Sequence, residues 1–362
     1  MTIPSIGGNG DNLNKIQINP IANDIQNSLE QAPVQTSTEA PASQVAQPSQ
    51  QAEEEYSIEQ FKKDYVKLLE EKVMPVLLGF EGERKKRLKW AVTAAIVFGI
   101  AAVCVFLFVD GRGSGDLFWG CIAAAFGIWY WIKKSFEKKV KKLIMPTLMH
   151  AVPGFYWQET PPVKPEEIES CMIIPFAKKC SKKFDDCFIG TYRDVKVAIS
   201  ECEYELGSGN NAKTILEGVV IKFSMNKNFD GVTVIRPKKP GYRDKYDDLK
   251  RAKMSEVKLE DPEFDKKYVV YSTDQIESRY LLTTAFMERF KQIETAFSSK
   301  FAYASFYGNS VFIAPHTGCD LFNLCSLVKP IGNREQFETL FNEFASILAL
   351  VDHFKLDKKL GL

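Results

Sequence analysis

Three side chains inside one six-residue stretch have the types that acid–base chemistry uses. Asp274, Glu277 and Arg279 offer two carboxylates and a guanidinium, which as a site would supply a general base and an anion contact. The same spacing also fits a structural role. Asp274-Gln275-Ile276-Glu277 matches a helix capping box, with the carboxylates on backbone N–H groups and a local ion pair alongside. A second pair is His316 and Cys319, within Ala314-Pro315-His316-Thr317-Gly318-Cys319-Asp320. A cysteine–histidine nucleophile needs the two in contact and a third group to orient the ring. The ordinary alternative is a loop histidine beside a buried thiol. The chain has 3 histidines, the others being His150 and His353, and none lies in an HExxH motif. Cys171, Cys180 and Cys187 are too widely spaced for a common zinc knuckle and read as core thiols. Gly207-Ser208-Gly209 lacks the Gly-Lys-Ser/Thr that completes a phosphate loop. No catalytic, cofactor-binding or metal-binding set is assigned, no cofactor is expected, and Asp274, Glu277 and Arg279 stand as the candidate cluster.

Two apolar stretches dominate the first half of the chain. Trp90 to Val109 reads WAVTAAIVFGIAAVCVFLFV and Leu117 to Ile132 reads LFWGCIAAAFGIWYWI, separated by Asp110 to Asp116, DGRGSGD. The first, as a helix, rises about 30 Å, the thickness of a bilayer's hydrocarbon core. The second rises only about 24 Å, but Trp129, Tyr130 and Trp131 suit the interface and Lys133 and Lys134 can snorkel. Backbone groups in lipid must be satisfied internally, so the expectation over 90–132 is a transmembrane helical hairpin. Small residues recur four apart at Ala91, Ala95 and Gly99, at Gly120 and Ala124, and at Ala123 and Gly127. Such stripes let helix backbones approach, although alanine and glycine are common in spans in any case.

Basic residues cluster at the outer ends of the two stretches. Arg84, Lys85, Lys86, Arg87 and Lys89 precede the first; Lys133, Lys134, Lys138, Lys139, Lys141 and Lys142 follow the second; the connection holds only Arg112. The positive-inside rule then places both long arms in the cytoplasm. The clusters can also attract anionic headgroups, or serve as topology signals and nothing more. A net charge of +1 argues against general affinity for nucleic acid. Eight cysteines without a CxxC pair fit a reducing compartment.

The elements that must position these groups follow in order. Residues 1–55 are rich in Gln, Ser, Pro and Asn and poor in aromatics, so a disordered polar tail is expected. Residues 56–89 read as a juxtamembrane amphipathic helix, opened by a box at Ser57-Ile58-Glu59-Gln60 and interrupted by Pro75. Residues 133–165 form a basic helical arm and a proline-rich linker. Met74-Pro75-Val76-Leu77 and Met145-Pro146-Thr147-Leu148 resemble each other, by coincidence or as two arms of a stalk. Residues 166–362 are expected to be a cytoplasmic α+β domain, an antiparallel sheet packed with helices. Alternation predicts strands at Val195–Ile199 and Val219–Phe223, and Asp230-Gly231 turns the chain into another at Val232–Ile235. Arg236 to Pro262 reads as a long charged surface connection, and Tyr268–Tyr271 as a strand. Helices are expected from Asp274 and over 286–297. Gly308-Asn309 marks a hairpin, and Asn333-Arg334-Glu335-Gln336 caps a last helix with the face Phe337, Leu340, Phe341, Phe344, Ile347, Leu348 and Val351.

This layout resembles a known family. Two N-terminal spans, then Phe188-Ile189-Gly190, then Leu216-Glu217-Gly218-Val219 leading to Asn226-Lys227-Asn228-Phe229-Asp230-Gly231, resemble an uncharacterised bacterial membrane-protein family with a C-terminal domain of unknown function, the "domain of unknown function 3137" type. The stretch VVYSTDQIESRYLLT, Val269 to Thr283, is similar to that family's most recognisable segment. Family members often show Phe-x-Gly where this chain has Leu216-Glu217-Gly218. The resemblance implies membrane anchorage, a cytoplasmic domain and no assigned activity. The expected function is therefore a multi-pass, membrane-anchored binding, scaffolding or sensing domain in a bacterial inner membrane, both termini cytoplasmic, with the bilayer and a protein as partners. Two alternatives stay open. One is a membrane-tethered enzyme with a site near Asp274 or His316; the other is a secreted effector whose hairpin enters a host membrane.

Overall fold

The structure is a computed structural model that describes residues 58–109, 113–209, 212–238, 246–332 and 334–353. The polar tail 1–55, the box at Ser57, the centre of the DGRGSGD connection and the cap at Asn333 lie outside the described residues. The chain forms two compact units. One comprises residues 63–157 and 322–341; the other comprises the described parts of 1–62, 158–321 and 342–362.

The first of these begins inside helix α1 (Ile58–Leu68) and continues through a π turn, Leu69–Val73, into α2 (Met74–Gly79). Pro75 does not stop the helix here. Proline carries no N–H for the carbonyl four residues back, so the turn before it widens and Met74 N–H bonds to the carbonyl of Leu69. Tyr65 bonds through its hydroxyl to the Phe337 carbonyl at 2.8 Å, and its ring lies 5.3 Å from that of Phe341. Next come α3 (Glu81–Phe108) and α4 (Ser114–Met149). They run antiparallel, as three cross-contacts show: Lys139 with Glu83 at 2.8 Å, Arg87 with Ser135 at 3.3 Å, and the rings of Phe106 and Phe118 at 6.1 Å. Both helices are long and apolar enough to cross a membrane. Only 11% of the most apolar stretch of α3 is buried, and none of that of α4. The core helix of a water-soluble protein would show the reverse.

The base of the hairpin is a charged joint. Arg84 is 5% exposed. Glu81 grips its guanidinium from two sides at 2.7 and 2.8 Å, and its remaining N–H donates to the carbonyls of Leu327 and Val328. Glu81 also accepts from Ile331 N–H. The Arg84 hydrogen bond above all, then the Ile331 N–H and the charges of Arg84 and Lys85, hold the Glu81 carboxyl down at about 2 against a partial desolvation that pushes it up.

The other unit holds strands β2 to β9, in the order β2-β3-β4-β9-β8-β5-β7-β6 of one sheet. The strands are β1 (Tyr156–Gln158), β2 (Cys180–Tyr192), β3 (Val195–Leu206), β4 (Lys213–Ser224), β5 (Thr233–Pro237), β6 (Ser255–Val257), β7 (Tyr268–Ser272), β8 (Phe301–Tyr307) and β9 (Ser310–His316). From β2 to β6 every neighbouring pair is antiparallel. The expected α+β class holds, and the Gly308-Asn309 turn pairs Tyr307 with Ser310. Strand β5 lies where Asp230-Gly231 was expected to lead the chain; it does not pair with β4, and the β9–β8 hairpin lies between them. Helices α5 (Pro165–Ser170), α6 (Asp247–Arg251), α7 (Pro262–Lys267), α8 (Gln275–Leu281), α9 (Thr284–Ala296) and α10 (Arg334–His353) complete the chain. The α10 face is buried as its pattern predicts, with Phe344 5.4 Å from Phe188 and 6.0 Å from Phe61. One core cluster joins Ile168, Cys171, Ile173, Cys180, Cys202, Tyr204, Leu216 and Phe312.

The stretch Arg236 to Pro262 is not a surface connection. Its described part holds α6 and β6, and Arg236 is fully buried. Its guanidinium makes two 2.8 Å bonds to the Asp248 carboxylate and donates to the Met172 carbonyl at 2.6 Å. Burial of that charge is tolerated because the planar fork is met by a carboxylate and a carbonyl. Met172 and Phe176 are both left-handed, with φ of 55° and 53°, a conformation costing roughly 1–2 kcal/mol each in a non-glycine residue. Phe176 N–H points at the same Asp248 carboxylate, so one ion pair fixes both the loop and α6.

The charged joint gives a pH signature. A carboxyl lowered from 4.5 to about 2 contributes stability that is complete above the unfolded value and lost as pH falls through the folded one. The melting temperature of the detergent-solubilised chain should exceed that of Glu81→Gln by a constant margin above pH 4.5, and the margin should close toward about pH 2. A margin independent of pH would show that Glu81 is not held as an anion.

Candidate functional site

The candidate cluster sits at the start of α8, and its two carboxylates face backbone rather than open space. Asp274 caps the helix: one carboxylate oxygen accepts from Ile276 and Glu277 N–H at 2.8 and 2.9 Å. The capping box is only half formed. Glu277 does not return to the Asp274 N–H, which Ser272 Oγ satisfies at 3.0 Å. Glu277 instead reaches across to the chain entering β5 and accepts from Asp230 and Gly231 N–H, one per oxygen, each at 3.0 Å. Thr273 Oγ accepts from Val232 N–H at 2.9 Å. The two segments are so close that a Cβ on Gly231 would lie 2.7 Å from Thr273 Oγ. Arg279 joins neither carboxylate in an ion pair; it is exposed on the outer face of α8, beside Ile276, 72% exposed, and Tyr280, 71% exposed. The structure brings Asp274 and Glu277 together as a staple and leaves Arg279 outward.

The corner around His316 is similarly occupied. Its Nδ1 accepts from Glu217 N–H at 3.0 Å, so the neutral ring carries its proton on Nε2. The ring stacks on Phe301 with centroids 4.6 Å apart. Gly218 pairs with His316 across β4 and β9, and a Cβ there would sit 2.3 Å from the Pro315 carbonyl oxygen. That close approach explains the glycine. Cys319 is exposed, with its thiol pushed up by partial desolvation despite a hydrogen bond with Thr317, which opposes the thiolate a nucleophile needs. Cys171, Cys180 and Cys187 are buried. Burial pushes the thiols of Cys171 and Cys187 up to about 12 and that of Cys180 to about 11. Among the described residues no group of three His, Cys, Asp or Glu is placed to hold a metal ion.

The basic residues near the hairpin divide. Arg84 is consumed by the charged joint, and Arg87 and Lys139 share Glu83. Lys85, Lys86, Lys89 and Lys138 are exposed, while Lys133 and Lys134 are half-buried. The small residues divide too. Ala91 is buried and Ala95 and Ala124 half-buried. Gly99, Gly120, Ala123 and Gly127 are exposed, and a Cβ at any of those three glycines would meet nothing within 4 Å. Of these small residues the least exposed are thus Ala91, Ala95 and Ala124, and the three glycines face open space.

Two bare apolar helices and a helix-covered antiparallel sheet define an α+β protein with a candidate membrane hairpin. Residues 214–356 match the family model described as "Protein of unknown function (DUF3137)", so the C-terminal part of the chain carries that domain. The match takes in Gly218, Glu277 and His316. No curated protein matches the chain. Among solved structures, the crystal structure of the mycobacterial trehalose monomycolate transport factor A, TtfA, is similar over 46% of this chain and 72% of that chain, with 14% identity and a TM-score of 0.23.

What sequence reasoning missed is the partner of Glu277. A capping motif signals a helix start, and nothing local shows that its second acid bonds a loop 46 residues earlier. Glu277→Ala removes a charged acceptor from one exposed and one half-buried N–H, a loss of about 1 kcal/mol in stability, read as a lower melting temperature. Glu277→Gln keeps one acceptor oxygen and should recover part of it. A Glu277→Ala variant melting like the parent would remove the staple role.

Proposed function

We propose that this chain is a membrane-held binding protein without catalytic activity, anchored in a bacterial inner membrane by α3 and α4 with both termini cytoplasmic. The observation that carries the reading is the uncovered apolar surface of those helices. Each large apolar side chain left in water forgoes about 1.5–3 kcal/mol, which a bilayer restores. Orientation is supported by the lysines at one end of the hairpin against the lone Arg112 at the other. Trp90, Tyr130 and Trp131 are exposed at the lysine end, where aromatic side chains mark an interface.

The non-catalytic part rests on how the chemically capable groups are used. Asp274 and Glu277 hold backbone N–H groups, and His316 accepts from backbone and stacks on a ring. The side chains left outward on α8, Ile276, Arg279 and Tyr280, form an apolar and cationic face of the kind that aromatic–arginine contacts use in protein interfaces. A photoreactive side chain at Tyr280 in intact membranes should give one discrete cross-linked protein, and Ile276→Asp should abolish it without releasing the chain from the membrane. A monomer that cross-links to nothing and turns over a substrate would defeat the proposal.

A further inference from the structure

We infer that the outer edge of β6 is a docking site for an extended acidic segment of a partner protein, which adds to the sheet as a further strand. The inference deepens the reading of the chain as a binding protein by naming the form of its partner, and it rests on that reading.

The register of the sheet decides which backbone groups that edge presents. Strand β6 is the last in the order and pairs with β7, Ser255 opposite Ser272, Glu256 opposite Tyr271 and Val257 opposite Val270. Successive residues of a strand turn their N–H and C=O groups to opposite sides. Thr273 N–H donates to the Val232 carbonyl at 3.1 Å, and the Lys267 carbonyl accepts from Lys238 N–H at 2.7 Å, so the odd-numbered residues of β7 bond toward β5. Val270 and Ser272 therefore bond toward β6, through Val257 and Ser255. Glu256 is left with its N–H and C=O directed away from the sheet. Met254, two residues earlier, also turns from β7, its N–H bonding to the Leu249 carbonyl at 3.1 Å. Among the described residues no hydrogen bond reaches the outward N–H or C=O of Glu256.

The charge around the edge selects the occupant. Lys250, Arg251 and Lys253 lead into β6 and Lys258 follows it, all four exposed. Among the described residues none of these four side chains has an ion-pair partner. The other lysines of this part of the chain are engaged: Lys238 meets Asp265, Lys267 meets Glu294 and Lys291 meets Asp261. Within the strand only Glu256 opposes the four cations. Like charges at a sheet edge guard it against a second copy of the chain, which would bring the same cations. An acidic strand meets them favourably.

The edge also adjoins the outward face of α8. Gln275 Nε2 donates to the Ser255 carbonyl at 3.1 Å, so the first turn of α8 lies against one end of β6. Ile276, the next residue, is exposed, which places an apolar side chain at that end of the open edge. Main-chain bonds give strand addition its affinity, and the flanking side chains give it selectivity. With one residue's pair of bonds on offer, the four cations have to supply much of the attraction, and the contact is salt-sensitive.

The test uses the full chain in detergent and fluorescence anisotropy with labelled octapeptides of alternating Asp-Val and alternating Lys-Val. The expected result is binding of the Asp-Val peptide that weakens with added salt, and no binding of the Lys-Val peptide. Glu256→Pro removes the outward N–H and leaves the bonds to β7 in place. It should weaken the Asp-Val peptide about tenfold, even though it also removes a repelling carboxylate. Lys253→Glu combined with Lys258→Glu touches no backbone group and should weaken it several-fold, whereas Glu256→Gln keeps the N–H and should bind more tightly than the parent. No binding of the Asp-Val peptide, equal binding by the parent and Glu256→Pro, or a dimer of the chain that Glu256→Pro abolishes overturns the edge site and leaves the α8 contact at Tyr280 to its own cross-linking test. A chain that cross-links to nothing from Tyr280 and turns over a substrate overturns the binding-protein reading, and the edge site with it.

Discussion

The apolar surface of α3 and α4 has no protein cover, and that constraint governs the rest of the hairpin unit. Two helices so exposed cannot persist in water, because each uncovered valine, isoleucine or phenylalanine loses the stabilisation that burial supplies. Their mutual contact protects little: most of the large apolar side chains along both helices remain exposed. The paired charges of the hairpin lie at its base. Glu81, Glu83, Arg84, Arg87 and Lys139 form paired charges there, and the Leu327, Val328 and Ile331 backbone closes on them. An apolar hairpin above an ionic joint is the division of labour that a bilayer would require of such a unit.

In the sheet-containing unit the same economy appears in another form. Charged side chains with catalytic potential are placed where irregular backbone must be held. Arg236 and Asp248 secure a loop with two left-handed residues. Asp274 caps a helix while Glu277 ties down the entry to β5. His316 gives its Nδ1 to a strand N–H beside the Gly218 close approach. Each of these groups meets backbone donors or acceptors that the regular elements leave over. The residues left outward, Ile276, Arg279 and Tyr280, are those a partner could meet.

Much of the layout was legible because it is written in local patterns. Twenty apolar residues in a row, the face of α10 and the Gly308-Asn309 turn each announce an element within one window. The failures share a cause: the deciding interaction is far away in sequence. Strand β2 escaped notice because Lys182, Lys183, Asp185 and Asp186 break the alternation, and a bulge between Phe184 and Cys187 shifts the register. Arg236 read as surface because only Asp248 and Met172, brought in by folding, make its burial tolerable. The place of β5 in the sheet has no local signal, because the β8–β9 hairpin that separates it from β4 comes some seventy residues later. The interruption expected at Pro75 takes the form of a π turn, which has no sequence signature of its own.

All of this depends on the hairpin lying in lipid. Membranes carrying the full chain should be washed in alkaline carbonate, which strips proteins held by charge or by partners and leaves those with lipid-buried helices. The account predicts that the chain stays with the membrane pellet and leaves it only when detergent is added. Recovery in the carbonate supernatant would contradict it, because the uncovered surfaces of α3 and α4 would then need some other shelter.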